Sequence, residues 1–288
     1  MNDPFRFPGR LLPARPDLAA RHLEGRVRAE RYAEGEARQV VAAVLDLTLS
    51  PEPGASLGTQ LLHGEPFTLY ETRPDGLAWG QAGIDGYVGY VAAAGLGPAE
   101  PPGQRVTALW SHVYSRPAVR ARVTGELPLG AGVRVVAAED GFARLAGGGF
   151  VPLQHLAPVA GDAVDHAARF AGVPYLWGGR SARGLDCSAL VQLACMAAGL
   201  VAPRDTDMQA AWLGEALPAE VPLRRGDLVF WDGHVGIMRD AGTLIHANGH
   251  HMAVAAEPFL PAAARIEAAG GGPVTIRRRL PAQAAGIG

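Results

Sequence analysis

The chain has 288 residues, with 38 Gly, 23 Pro and only 2 Cys, and its 26 Lys+Arg against 28 Asp+Glu give a formal charge of −2. At the usual ~100–200 residues per domain this is enough for two or three domains, and Gly plus Pro, about a fifth of the chain, stays below the roughly 25–30% of a disordered one. A balance this close to neutral offers no broad basic field for nucleic acid or an anionic membrane surface, and Arg277 to Arg279 is the single basic cluster.

The opening MNDPFRFPGR lacks a basic segment followed by an apolar one, and no stretch reaches the ~18–20 uninterrupted apolar residues that span a bilayer. The expected compartment is the cytoplasm. Residues 1–36 read as an N-terminal extension rich in Arg, Pro and Ala, with a short helix expected in DLAARHLEGRVRAERY.

The segment 64–96 then breaks into short apolar runs at Pro-Asp-Gly and Asp-Gly turns, the pattern of small antiparallel β structure. A similar run returns at 130–158, as a weak internal repeat, with the Pro/Gly linker GLGPAEPPGQ (95–104) between the copies. Two small β-barrels are expected, at 37–98 and 104–158. From residue 160 to the end the texture is α+β. A helix is expected in DAVDHAARFAG, capped by Asp162 and stopped at Gly172, and a second from Asp186 to Leu200. Short strands follow in LRRGDLVFW, HVGIMRD and TLIHAN, and later in PVTIRRRL.

Both cysteines, Cys187 and Cys195, lie in the second of these helices. Eight helical residues at ~1.5 Å each separate them by about 12 Å, beyond the ~7 Å Cα limit for a disulfide. Two free thiols are therefore expected, in keeping with a reducing compartment. Cys195, mid-helix among apolar neighbours, reads as an ordinary core residue. Cys187 sits where the Gly-rich loop GGRSARGLD meets the helix start, and the unpaired N–H groups there are expected to lower its pKa and favour thiolate.

A nucleophilic cysteine needs a base, and the base needs an orienting partner. With the hairpin turn at Arg239-Asp240-Ala241, the expected antiparallel register sets Met238 opposite Gly242, Gly236 opposite Leu244, and His234 opposite His246. Directly opposed side chains share one face with Cβ atoms roughly 4.5–5.5 Å apart. His246 then bonds His234 and fixes its tautomer, so that the free nitrogen of His234 faces the thiol. Metal binding by His246, His250 and His251 is the rival use of these residues. Asn248-Gly249 opposes the helix that would align them, and no CxxC or HExxH spacing exists, so no metal or other cofactor is expected.

VPYLWGGRSARGLDCSALVQ, RRGDLVFWDGHVGIM and TLIHAN, in that order, strongly resemble the NlpC/P60 cysteine peptidases, whose papain-like fold carries a Cys-His-polar triad. Ala189 stands where that family usually has Gly after Asp-Cys-Ser. The upstream repeats resemble bacterial SH3 domains, and the whole order is similar to that of the γ-D-glutamyl-L-diamino acid endopeptidases. The resemblance implies that Cys187 attacks the γ-D-Glu carbonyl of a murein tripeptide or related muropeptide, with His234 as proton carrier and His246 as its holder. The Cys187 N–H, helped by the Tyr175 hydroxyl, would bind the oxyanion.

It also implies a pocket for the free amine of an N-terminal L-Ala, built from Tyr175, Asp186 and Ser188, with Glu65 and Tyr87 supplied by the first barrel. For Asp186 the simpler role is the helix N-cap, and the two roles are compatible. For Tyr87 the simpler role is barrel core. Two other readings stand beside this one: a hydrolase acting on intact peptidoglycan, with the barrels as wall-binding modules, and a catalytically silent wall-peptide binding protein. Neither the oligomeric state nor the diamino acid preference is written in the residues.

Overall fold

A computed structural model describes residues 3–101 and 103–281. The outermost residues of the expected N-terminal and C-terminal segments, 1–2 and 282–288, and Pro102 of the expected linker lie outside these. The chain divides into two units, Met1–Ala157 and Pro158–Gly288.

In the first unit a seven-stranded antiparallel sheet is formed by β1 (Glu36–Val40), β2 (Val44–Thr48), β3 (Leu57–Leu62), β4 (Pro66–Thr72), β5 (Leu77–Ala82), β6 (Val88–Ala92) and β7 (Leu96–Pro98), in the order β3-β2-β6-β5-β4-β1-β7. A five-stranded sheet follows, from β8 (Trp110–Tyr114), β9 (Val123–Pro128), β10 (Val135–Glu139), β11 (Phe142–Leu145) and β12 (Phe150–Pro152), in the order β9-β8-β12-β11-β10. These are small SH3-like barrels, the second built on Val106, Leu127, Val133, Ala143 and Val151. Alternate strand residues point inward, so each barrel fills its own interior.

The N-terminal extension does not form the expected helix. Leu18–Ala20 is instead a fully buried strand paired in parallel with Arg31–Ala33, and within DLAARHLEGRVRAERY only Arg21–Leu23 makes a helical turn. Tertiary packing overrides propensity here. Leu18 joins Trp79, Val88 and Tyr90 in the core of the first barrel. The Arg15 guanidinium lies 4.4 Å from the Trp79 ring centre and donates to Glu71 at 2.6 Å and Asp17 at 2.8 Å.

The second unit carries α1 (Ala163–Ala168), α2 (Cys187–Ala197) and α3 (Thr206–Trp212) ahead of a six-stranded sheet. Its strands are β13 (Glu215–Leu217), β14 (Asp227–Trp231), β15 (His234–Met238), β16 (Thr243–Asn248), β17 (Ala253–Pro258) and β18 (Ile276–Arg279), in the order β13-β18-β14-β15-β16-β17, with α4 (Phe259–Ile266) after β17. Asp162 and Asp165 close a capping box on α1, which ends before Gly172. Helix α2 is buried from Cys187 to Cys195 and packs on α1 and β15. The basic cluster is spent internally. Arg277 donates to Ala219 O, Arg278 to three carbonyl oxygens, and Arg279 to both oxygens of the buried Asp227 at 2.8 Å. Among the described residues no helix is long and apolar enough to cross a membrane.

Within the first unit the two barrels touch through glycine backbone. Gly132 N–H donates to His63 O at 2.8 Å, and Gly64, at φ +77°, leaves no room for a side chain beside the Gly132 carbonyl. Replacing Gly64 with Ala therefore costs about 1–3 kcal/mol from the left-handed backbone alone, plus the displacement of Gly132. Urea unfolding of the variant, expected to show a midpoint well below the parent's, measures this.

Candidate active site

Helix α2 begins at the expected nucleophile. Asp186 is its N-cap, with the Ala189 N–H donating to Asp186 Oδ1 at 2.8 Å. Cys187, as the first helical residue, has an N–H with no intrahelical acceptor. The approach to the helix needs Gly178, at φ +74°, whose N–H donates to Asp186 Oδ2 at 2.9 Å.

The Asp186 carboxylate is claimed within its own domain. Besides those two backbone donors it accepts from the Ser188 hydroxyl at 3.2 Å and from Arg204, Nη1 to Oδ1 at 2.9 Å and Nη2 to Oδ2 at 2.8 Å. Arg204 is 1% exposed and also donates to Ser188 Oγ at 2.9 Å and Gly179 O at 3.3 Å. Five donors on two oxygens fill the carboxylate's acceptor sites, so a substrate amine reaching Asp186 has to share them. The capping role is thus occupied, and Arg204, which the sequence reading passed over, balances the charge.

Cys187 Sγ lies 3.7 Å from Thr206 Oγ1 at the start of α3 and 4.0 Å from the carbonyl oxygen of Gly233, the residue before His234. Tyr175 stands close enough that the charges of Cys187 and Asp186 act on its hydroxyl, and burial with those charges pushes it up to about 12. Tyr175, Asp186, Ser188 and Cys187 therefore form one group. Glu65 and Tyr87 lie in the first unit, both 2% exposed. Glu65 Oε2 accepts from the Leu62 N–H at 3.0 Å, a bond inside its own barrel.

The two histidines meet, but not in the expected register. Ile237 pairs with Ile245 and Met238 with Leu244, two residues away from the anticipated alignment, because Arg239 N–H bonds Thr243 O and so moves the three-residue turn one position along, to Asp240-Ala241-Gly242. A slip of two preserves the strand's facing, so His234 and His246 become diagonal neighbours on the same face, still within reach. His234 Nε2 lies 2.8 Å from His246 Nδ1. The Trp231 ring packs on His234 with centroids 5.6 Å apart, and His246 is fully buried.

The sequence reading missed what lies behind His246. Its Nε2 is 2.7 Å from Glu257 Oε1, and Arg265 of α4 donates to both Glu257 oxygens at 2.7 Å. Glu257 sits on β17, a strand the sequence reading skipped. The signal available was the run AVAAEP, shortly after the Asn248-Gly249 turn signal. Among the described residues no cluster of three or more His, Cys, Asp or Glu is arranged to hold a metal ion.

Burial corrects the expected thiolate. It pushes the Cys187 thiol up to about 11, with the Asp186 charge acting the same way, against weaker pulls from Thr206, the Val235 N–H and Arg204. Burial also holds His234 down at about 3, aided by His246 and Arg265. The resting pair is therefore a neutral thiol and a neutral imidazole. Cys195, buried without a charged partner, is pushed to about 12, and both cysteines are free.

Two expectations follow. Alkylation of Cys187 by iodoacetamide rises steadily from about pH 6 to about pH 9 as the raised pKa is approached, and a plateau below neutral pH would show a preformed ion pair instead. Replacing Arg204 with Leu leaves Asp186 buried without its partner and costs about 3–5 kcal/mol, read as a lowered denaturation midpoint.

Comparison with known proteins gives the relatives of both units. Residues 172–259 match the NlpC/P60 family, and residues 47–96 match the bacterial dipeptidyl-peptidase SH3 domain. A crystal structure of an NlpC/P60 family protein from Bacillus cereus ATCC 10987 superposes with a TM-score of 0.69 at 19% identity, covering 85% of this chain and 100% of that one, a likeness of fold. A γ-D-glutamyl-L-lysine dipeptidyl-peptidase of Bacillus subtilis (strain 168) is 35% identical over 105 residues, 34% of this chain and 35% of its own length. A probable endopeptidase of Corynebacterium glutamicum is 41% identical over 103 residues, 33% of this chain and 48% of its own. The chain thus spans about a third to a half of the length of these curated relatives. It carries an NlpC/P60 peptidase-family domain behind a bacterial dipeptidyl-peptidase SH3 domain.

Proposed function

We propose that the chain is a cysteine peptidase that cleaves the bond between γ-D-Glu and the following diamino acid in murein peptides bearing a free N-terminal L-Ala. The observation that carries the reading is the sequence of contacts from Cys187 at a helix start, through its sulfur 4.0 Å from the carbonyl oxygen of Gly233 next to His234, to His246 bonded to His234 at 2.8 Å. The naming of the Bacillus subtilis relative as a γ-D-glutamyl-L-lysine dipeptidyl-peptidase supports the bond assigned.

The starting pair is neutral, so the proton moves as attack proceeds. The Cys187 sulfur bonds to the γ-carbonyl carbon of D-Glu while its proton passes to Nδ1 of His234. The oxyanion forms by the Cys187 N–H, with the Tyr175 hydroxyl as a second donor. His234 returns the proton to the departing amine of the diamino acid as the C–N bond breaks, leaving a thioester. Water, giving a proton to His234, then attacks the thioester, and the thiol recovers that proton on leaving. Tyr175, Ser188 and the Asp186–Arg204 pair form the wall offered to the L-Ala amine. Two free thiols support a reducing compartment, so the role proposed is cytoplasmic recycling of wall peptides. The second reading is action on intact peptidoglycan; the 41% identity to a protein named a probable endopeptidase supports it only in that an endopeptidase cuts within a longer chain.

Mass spectrometry of products from free L-Ala-γ-D-Glu-diaminopimelate, its N-acetylated form and purified sacculi separates these readings. The expected result is release of L-Ala-γ-D-Glu from the free tripeptide alone, abolished by Cys187→Ala. Equal cleavage of the acetylated peptide removes the amine pocket. Digestion of sacculi establishes the second reading, and absence of turnover on all three leaves a binding protein.

A further inference from the structure

The hydrogen-bond chain His234–His246 has two possible directions, and they are chemically opposite. If His246 carries its proton on Nε2, its Nδ1 accepts from the Nε2–H of His234, and neutral His234 keeps a bare Nδ1 that can take a proton. If His246 carries its proton on Nδ1, that N–H points at His234 Nε2, and His234 is left with an N–H where a base is needed.

The groups around the pair decide between them. Glu257 Oε1 lies 2.7 Å from His246 Nε2, and the two Nη groups of Arg265 each donate to one Glu257 oxygen at 2.7 Å. An ionised carboxylate only accepts, so the proton between Glu257 and His246 belongs to the imidazole. The fork of Arg265, with the His246 bond, holds the Glu257 carboxyl down at about 2, which keeps it ionised across the working range. The remaining charged or titratable neighbours are His251, whose Nδ1 is 3.8 Å from Glu257 Oε1 and 3.0 Å from Asn248 Oδ1, and Cys187, whose sulfur lies 4.0 Å from the carbonyl oxygen of Gly233 next to His234. Placement follows from the strands. His246 stands opposite Ala255 and Leu244 opposite Glu257, so Glu257 is the diagonal same-face neighbour of His246, and the small Ala255 leaves the ring room to reach it.

We propose that Glu257, clamped by Arg265, is the positioning residue that sets the direction of this chain: it holds His246 as the Nε2–H tautomer and thereby His234 as the Nε2–H tautomer with Nδ1 free for the Cys187 proton. The assignment rests on Cys187 and His234 being the reacting pair. The logic is that of a buried carboxylate that orients a histidine one step from a nucleophile, here acting through a second imidazole. Arg265 has its own part, because an unclamped Glu257 would recover a proton more readily and lose its acceptor-only character.

The test is histidine-selective 15N NMR of the intact chain, with kinetics of Glu257→Gln and Arg265→Gln alongside. The wild-type spectrum is expected to show Nε2–H tautomers for both His234 and His246. In Glu257→Gln the amide oxygen is drawn to Arg265 and the NH2 turns toward His246, so the tautomers invert. The expected kcat falls at least about tenfold with KM nearly unchanged, and Cys187 alkylation slows in parallel. Arg265→Gln, at a half-exposed helix end, is expected to move the acid limb of the kcat profile upward by about one pH unit, and it carries the test should Glu257→Gln not fold. A wild-type His246 protonated on Nδ1, or a folded Glu257→Gln with unchanged kcat and pH profile, overturns the proposal. The NMR and alkylation readouts need no substrate. If the tripeptide is not cleaved, the proposed activity fails while the tautomers still judge the role of Glu257.

Discussion

The buried ion pair between Arg204 and Asp186 is the constraint from which the site is built. A guanidinium 1% exposed and a carboxylate 8% exposed are costly to desolvate, and they persist because every acceptor site of the carboxylate is used. Each bond locates something. The Ala189 N–H starts helix α2, the Gly178 N–H draws in the loop that carries Tyr175, and the shared Ser188 hydroxyl turns the second residue of the helix inward. Cys187 is held between these contacts. Its thiol has no charged partner of its own and lies beside the start of the strand that bears His234.

That placement explains a site whose resting groups are both neutral. Burial raises the thiol and lowers the imidazole, so no charge separation is stored at Cys187 and His234 before substrate arrives. The permanent charges, Asp186 with Arg204 and Glu257 with Arg265, sit one contact further out on either side. Charges arranged in this way suit the proton transfer proposed for Cys187 and His234, because they are in place beforehand and need little rearrangement during it.

Much of this was legible in the chain. The Asp-Cys-Ser step from a Gly-rich loop into an apolar run marked the start of α2, and capping chemistry marked Asp186. Alternation along HVGIM and TLIHAN put His234 and His246 on one face, and that survived a register error of two residues because the strand period is two. Less legible were features carried by segments without strong local pattern. The expected helix near Leu18 is a strand held by the first barrel's core. Glu257 lies on a strand of alanines, and Arg265 comes from a helix that the sequence reading did not anticipate.

The sequence by itself therefore determined the candidate residues Cys187, His234 and His246, the shared face of the two histidines and the kinship of both domains, since these depend on short-range period and on motif spacing. The tertiary structure alone decided how deeply the thiol is buried, the occupation of Asp186 and the partner behind His246. Those depend on desolvation and on contacts between residues far apart in the chain, such as Asp186 with Arg204 and Leu18 with Trp79. No local pattern records how deeply a side chain is buried or which distant group reaches it.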